Sequence, residues 1–190
     1  MNQPRPDRSI RTTSRTHFTP STLGALLLAS TLAACSSMGG SSRPSAVAPL
    51  QPTAGNAVTG SISFRQEGDK IRVMARVTGL PPNTEHGFHV HEKGDCSSPD
   101  GMSAGGHFNP TMHPHGPQSM PHHGGDMPSL TADASGNASA IFTIEGVTLG
   151  TEANSLIGKA VIVHAQPDDY KTQPTGNSGA RVACGVIAAG

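Results

Sequence analysis

Beyond its first 55 residues the chain has no long stretch without glycine or proline. From residue 56 onward, no segment free of both glycine and proline exceeds ten residues. This excludes a bundle of long helices, because proline breaks a helix interior and glycine weakens it. Clustered basic charge is also missing. Formal net charge is zero, and four of the thirteen Lys and Arg residues (Arg5, Arg8, Arg11, Arg15) precede residue 20, opposed there by Asp7 alone. The remaining body is slightly acidic. Nucleic-acid binding needs Lys and Arg gathered on one face to neutralise phosphates, so nucleic acid is excluded as a partner. There is no internal repeat. No apolar run reaches the roughly 20 residues that a membrane-spanning helix needs. At 190 residues there is room for one ordinary domain, on the order of 100 to 200 residues, with appendages.

What is present begins with a leader. Basic residues precede an apolar run from Leu23 to Ala34, the layout of a signal peptide over residues 1–34. The run ends Leu32-Ala33-Ala34-Cys35, which resembles the bacterial lipobox. Cys35 would then carry lipid and become the first mature residue, and several acyl chains would anchor the protein stably to a membrane. An ordinary secretory signal beside a chance cysteine is the alternative. Either way the expected location is the cell envelope, on the periplasmic side, as a membrane-anchored lipoprotein if Cys35 is acylated. Residues 36–55 are mostly Ser, Gly, Pro and Ala, too poor in apolar surface to offset the entropy of ordering. The expected organisation is a lipidated cysteine and flexible tether over 35–55, followed by one domain over 56–190.

Within that domain Asp69 to Thr78 alternates, with Ile71, Val73, Ala75 and Val77 on one face and Arg72, Met74, Arg76 and Thr78 on the other. This is the period of a strand with one wet side. Gly60 to Arg65 repeats the pattern, and Gln66 to Asp69 reads as the hairpin turn between them. Gly87–His91, Ala138–Ile144, Ala160–His164 and Arg181–Ile187 are further strand candidates. Short strands between Gly- and Pro-rich connections predict an all-β antiparallel barrel or sandwich.

Of three cysteines, Cys96 and Cys184 remain beyond the lipobox. In an oxidising compartment they are expected to pair, closing a long loop worth roughly 4 kcal/mol in the chain-entropy model. Thiolate ligation of a metal is the alternative, but the histidines already suffice. Nine of the ten histidines lie in the domain. The strand period places His89 and His91 on one face, away from Phe88 and Val90. His107, His113, His115, His122, His123 and Asp126 crowd one loop, and His164 ends a later strand. Imidazoles with a single carboxylate suit a borderline metal and not Ca or Mg, which want oxygens.

These residues resemble the Cu/Zn superoxide dismutases, and among them the bacterial lipoprotein type. The matching blocks are Gly87-Phe88-His89-Val90-His91-Glu92, Gly94-Asp95-Cys96, Gly106-His107-Phe108-Asn109-Pro110, His123-Gly124-Gly125-Asp126, His164, and Gly176 to Ile187. They run in family order across almost all of residues 56–190. The resemblance implies a Greek-key β-barrel with long metal-binding and substrate-guiding loops. It implies copper held by His89, His91, His107 and His164, and zinc held by His107, His115, His123 and Asp126, with His107 bridging the ions. His115 stands eight residues after His107, the family spacing, and His113 only six. His123, not His122, has the family spacing to Asp126.

The resemblance further implies that Asp168 links His89 to His115, and that Arg181 guides the anion. His164 and Arg181 are seventeen residues apart, a shorter loop than in eukaryotic members, so guidance must be arranged differently. The implied activity is dismutation of superoxide by copper redox cycling. Zinc, which cannot cycle, would hold the bridge, and His107 would relay a proton. A homodimer is admitted as a partner. A non-enzymatic copper-binding or storage module on the same fold is the alternative, and Arg181 weighs against it. His86, His113 and His122 are left over, read as surface or packing residues. Met102, Met112, Met120 and Met127 in the same segment leave a copper-gathering surface open, because thioethers suit Cu(I).

Overall fold

A computed structural model describes residues 43–190. The expected leader and the expected lipidation site, Cys35, lie outside the described residues. Ten strands follow in chain order: β1 (Ser45–Pro52), β2 (Thr59–Glu67), β3 (Lys70–Thr78), β4 (Glu85–His86), β5 (Phe88–His91), β6 (Leu130–Thr131), β7 (Ala138–Ile144), β8 (Ala160–His164), β9 (Arg181–Val186) and β10 (Ala188–Ala189). Among the described residues, helix is confined to one 3-10 turn, Met102–Ala104.

The main sheet is antiparallel and runs β5-β8-β9-β1-β2-β3-β7, with β10 also on β1; β4 and β6 form a separate pair. The chain crosses from the β7 end of the sheet to the β5 end between β3 and β5 and again between β7 and β8. These are crossovers of the Greek-key kind, and the fold is an all-β barrel or sandwich, as the sequence predicts. The β2–β3 hairpin turns at Gly68-Asp69, where Gly68 takes φ 68°, a conformation that glycine adopts without steric cost.

One expectation is overturned. The segment read as tether contains β1, which pairs with β2 along six residues and meets both β9 and β10 on its other side. Ala46, Ala48 and Leu50 are fully buried in the core. Small apolar residues at alternate positions are enough in the middle of a sheet, where neighbouring strands supply the rest of the packing. Pro49 has no amide to donate, but it stands where β1 passes from β10 (Ala46, Val47) to β9 (Gln51, Pro52), outside both registers. The domain therefore begins before residue 56.

Two surfaces of the sheet behave differently. In β3 buried and exposed residues alternate strictly, whereas all residues of β5 and β8 are buried. Phe88, Val90, Val161 and Val163 point to the main core. The opposite face of β5 and β8 is covered by loops. Ala160 and Ile162 pack there with Ala104, Cys184 and Cys96. Cys96 and Cys184 form a disulfide with Cα atoms 5.7 Å apart, tying the loop after β5 to β9.

Candidate metal centre

His89 and His91 on β5 and His164 at the end of β8 lie on this loop-covered face. The covering loops add His107, His115, His123, Asp126 and Asp168. All eight are buried. Their ligand atoms form three groups, each within 4.8 Å: His89 with His91, His107 and His164; His107 with His115, His123 and Asp126; and His89 with His115 and Asp168. His107 belongs to both of the larger groups.

Hydrogen bonds determine which nitrogen each ring offers. A backbone carbonyl can only accept, so the His91 Nδ1–H donates to Gly105 O at 2.9 Å and the His164 Nδ1–H to Gly179 O at 3.2 Å. Their Nε2 lone pairs then face each other at 3.4 Å. The His89 Nε2–H donates to Asp168 Oδ2 at 2.7 Å and the His107 Nδ1–H to Asp126 Oδ1 at 2.9 Å. This leaves His89 Nδ1 and His107 Nε2 buried without a partner. Four lone pairs thus converge on one point with no proton among them, an arrangement that is costly unless a cation sits there. Burial lowers the pKa of His164 to about 3 and of His107 to about 4, with His89 adding to both shifts. The rings are therefore neutral, as metal ligation requires.

The second group is built around a carboxylate. Asp126 Oδ1 lies 2.9 Å from His107 Nδ1, 3.0 Å from His115 Nδ1 and 3.4 Å from His123 Nδ1. Its other oxygen accepts the Gly116 and His123 amides. Burial opposes its charge, but the three imidazoles crowded against it, His107 by a hydrogen bond and His115 and His123 by close approach, outweigh burial and hold this carboxyl far below its usual range. His115 Nδ1 and His123 Nδ1 are buried without a hydrogen-bond partner. Once His107 Nδ1 gives up its proton, three nitrogens and one carboxylate oxygen make a closed set of four donors, the kind a structural zinc site uses.

Asp168 joins the groups by accepting from His89 Nε2 at 2.7 Å and from His115 Nε2 at 2.9 Å. Burial would raise its pKa, but those two hydrogen bonds prevail and lower it. His115, between Asp126 and Asp168, is lifted to about 9 against the effect of burial. Asp169 instead spends its carboxylate on its own turn, accepting from Lys171 N, Thr172 N and the Thr172 hydroxyl.

Arg181 lies at the mouth of the first group. A surface cleft of about 530 Å³ is lined by Arg181 together with His91 and His164. The guanidinium donates to Gly101 O at 2.8 Å and Gly105 O at 2.6 Å. Gly105 O also accepts from His91, so Arg181 and His91 are positioned by the same carbonyl. Thr53 supports the Arg181 backbone from the segment read as tether, with its hydroxyl donating to Arg181 O at 2.7 Å.

Of the leftover histidines, His113 is exposed and His122 half-buried, and neither joins a buried group. His86 is buried, with its Nδ1–H donating to His164 O at 2.8 Å. Sequence reasoning missed two supports. The Gln173 side chain clamps His115, accepting from its amide and donating to its carbonyl, both at 2.8 Å. Gly176, with φ 65°, lies so close that a Cβ there would run into Asp168 and His115. The Gly176 to Ile187 block is a sequence signal for Gly176 alone, and Gln173 lies outside it.

Comparison with known proteins agrees with this geometry. The family pattern for copper/zinc superoxide dismutase (SODC) matches residues 58–187, and the chain belongs to that family. It is 41% identical over 140 residues to superoxide dismutase [Cu-Zn] 2 of Aquifex aeolicus (strain VF5), covering 68% of this chain and 79% of that protein. It is 42% identical over 134 residues to the superoxide dismutase-like protein YojM of Bacillus subtilis (strain 168), covering 67% of this chain and 68% of that one. Among solved structures it resembles the clock protein EA4, with TM-score 0.70, 36% identity and coverage of 79% of this chain and 97% of that one. Family membership implies copper and zinc, and the two groups fit them.

Proposed function

We propose that the chain dismutes superoxide, converting two anions and two protons to dioxygen and hydrogen peroxide. In this reading copper occupies the His89, His91, His107 and His164 group, and zinc the His107, His115, His123 and Asp126 group. The observation that carries the reading is the cleft in which Arg181 stands beside His91 and His164. Copper would supply a one-electron couple, which zinc cannot.

The chain's residues do the rest. Arg181 stays charged, can hydrogen-bond a small anion, and is held in place by two carbonyls. A positive charge in a cleft raises the on-rate of an anion by about 10 to 1000-fold. His107 alone contributes a nitrogen to each group, so a proton held at its Nε2 lies inside the first group, beside the anion. A metal-holding module without turnover would need neither the cleft nor the arginine. We also propose a periplasmic location at the cell envelope, with Cys35 as lipid anchor. The leader supports this, as does a disulfide of the kind that persists in oxidising compartments.

The test compares Arg181→Glu and Arg181→Lys. Arg181→Glu should keep both metals yet lose well over tenfold in turnover at low salt. Wild-type rates should fall with ionic strength, and those of Arg181→Glu should fall less or rise, because salt screens attraction and repulsion alike. Equal losses and parallel salt slopes in the two variants would reduce Arg181 to a brace.

A further inference from the structure

We propose that the outside of the zinc-side loop carries a third, exchangeable copper site made by His113, His122 and Met120, with Glu145 at its edge. These four side chains line one surface cleft of about 190 Å³, with Thr111 beside them. None of them is used by the buried centre. Met120 is 62% exposed, unlike Met127, which is buried in the core.

Local bonds already present the two imidazoles. The His122 Nδ1–H donates to Met120 O at 2.6 Å, leaving Nε2 for an ion. His113 Nδ1 meets the Thr111 hydroxyl at 3.2 Å, again leaving Nε2. The His113 backbone is fixed on both sides by the Asn109 amide, which donates to its carbonyl at 2.8 Å and accepts from its N–H at 3.1 Å. Glu145 pairs with Lys70 at 2.6 Å, but both side chains are largely exposed, and a solvent-screened pair of this kind yields readily to a cation.

The donor set selects the metal. Imidazole serves Zn, Cu and Ni alike, whereas a thioether favours Cu(I) and discriminates against harder ions. Two imidazoles with Met120 suit Cu(I), and the same imidazoles with Glu145 suit Cu(II). The group is not closed in advance. Among the described residues, every set of three or more His, Cys, Asp or Glu with ligand atoms within 4.8 Å belongs to the buried centre. An ion must therefore draw exposed side chains inward, which makes the surface site weaker and faster to exchange. Such a site gathers copper from the surroundings without competing with the buried ligands.

Binding here does not depend on the chain's turning over superoxide, so a metal titration tests it separately. The full chain, H113A/H122A and M120L are titrated anaerobically with Cu(I) against a competing chromophoric chelator, then with Cu(II) and Zn(II). Wild type should bind one Cu(I) more than H113A/H122A, and M120L should weaken that equivalent tenfold or more while leaving Cu(II) uptake unchanged. All variants should melt at the wild-type temperature. Should the change at His122 disturb its neighbour His123, H113A alone should show the same loss. Equal Cu(I) uptake by wild type and H113A/H122A would overturn the site. Zn(II) bound there as tightly as Cu(I), or full Cu(I) affinity in M120L, would overturn its assignment to copper.

Discussion

The strands β2, β3 and β7 present one face to water, while β5, β8 and most of β9 present none. In the first half Arg72, Met74 and Arg76 occupy the outer positions of β3. In the second half the equivalent face of β5 and β8 carries His89, His91 and His164, buried beneath the loops. The same alternation produces a solvated surface on one side of the barrel and a dry cluster of imidazoles on the other, and what differs is whether loops cover it. Ligands on strands are held by the ladder. Ligands on loops need further supports, here Asp126, Asp168 and Gln173.

Strand β1 is the seam between the two halves, and its loss should have the largest effect. Truncating a residue like Leu50 to Ala costs about 2 to 5 kcal/mol, against a total stability of about 5 to 15 kcal/mol for a domain. A chain starting at residue 56 loses Ala46, Ala48 and Leu50 together and exposes the edges of β2 and β9. It should show no cooperative thermal transition, while a chain starting at residue 43 should melt in one step. A sharp melt for the shorter chain would mean that the halves cohere without their seam.

On the covered half, Asp168→Asn keeps the shape but removes the charge that orients His89 and His115. Zinc affinity should fall by about 10 to 100-fold, read by competition with a zinc chelator, while copper is still bound. Wild-type zinc affinity in Asp168→Asn would leave Asp168 without an orienting role. On the wet half the expectation is nearly nothing. Met74→Thr, 39% exposed in wild type, should change stability by no more than about 0.5 kcal/mol. A loss of several kcal/mol in urea unfolding would show that this face is not free.

The sequence made legible the strands whose pattern is strong. Ala138–Ile144 and Ala160–His164 are found at their expected bounds, because β-branched residues run between clear turn signals. β1 was hidden by its alanines and prolines, and β4, β6 and β10 are pairs of residues too short to leave a period. Within the centre, the family resemblance favours His115 over His113 and names Asp168 beside a confusable Asp169, and the structure buries the first of each pair and leaves the second exposed. Gln173 could not be read, because its role comes from contact with His115, 58 positions away. Gly176 opens a family-matching block, but its packing against Asp168 and His115 exists only in three dimensions.

The central claim is that His107 joins a redox-active group to a closed one in a chain that consumes superoxide. Metal analysis of the purified protein, read together with the decay of a superoxide pulse on the same sample, tests it most directly. About one copper and one zinc per chain in the buried centre, with decay that accelerates in proportion to copper content, is the predicted result. Zinc in both groups, with no acceleration after copper is added, would contradict it.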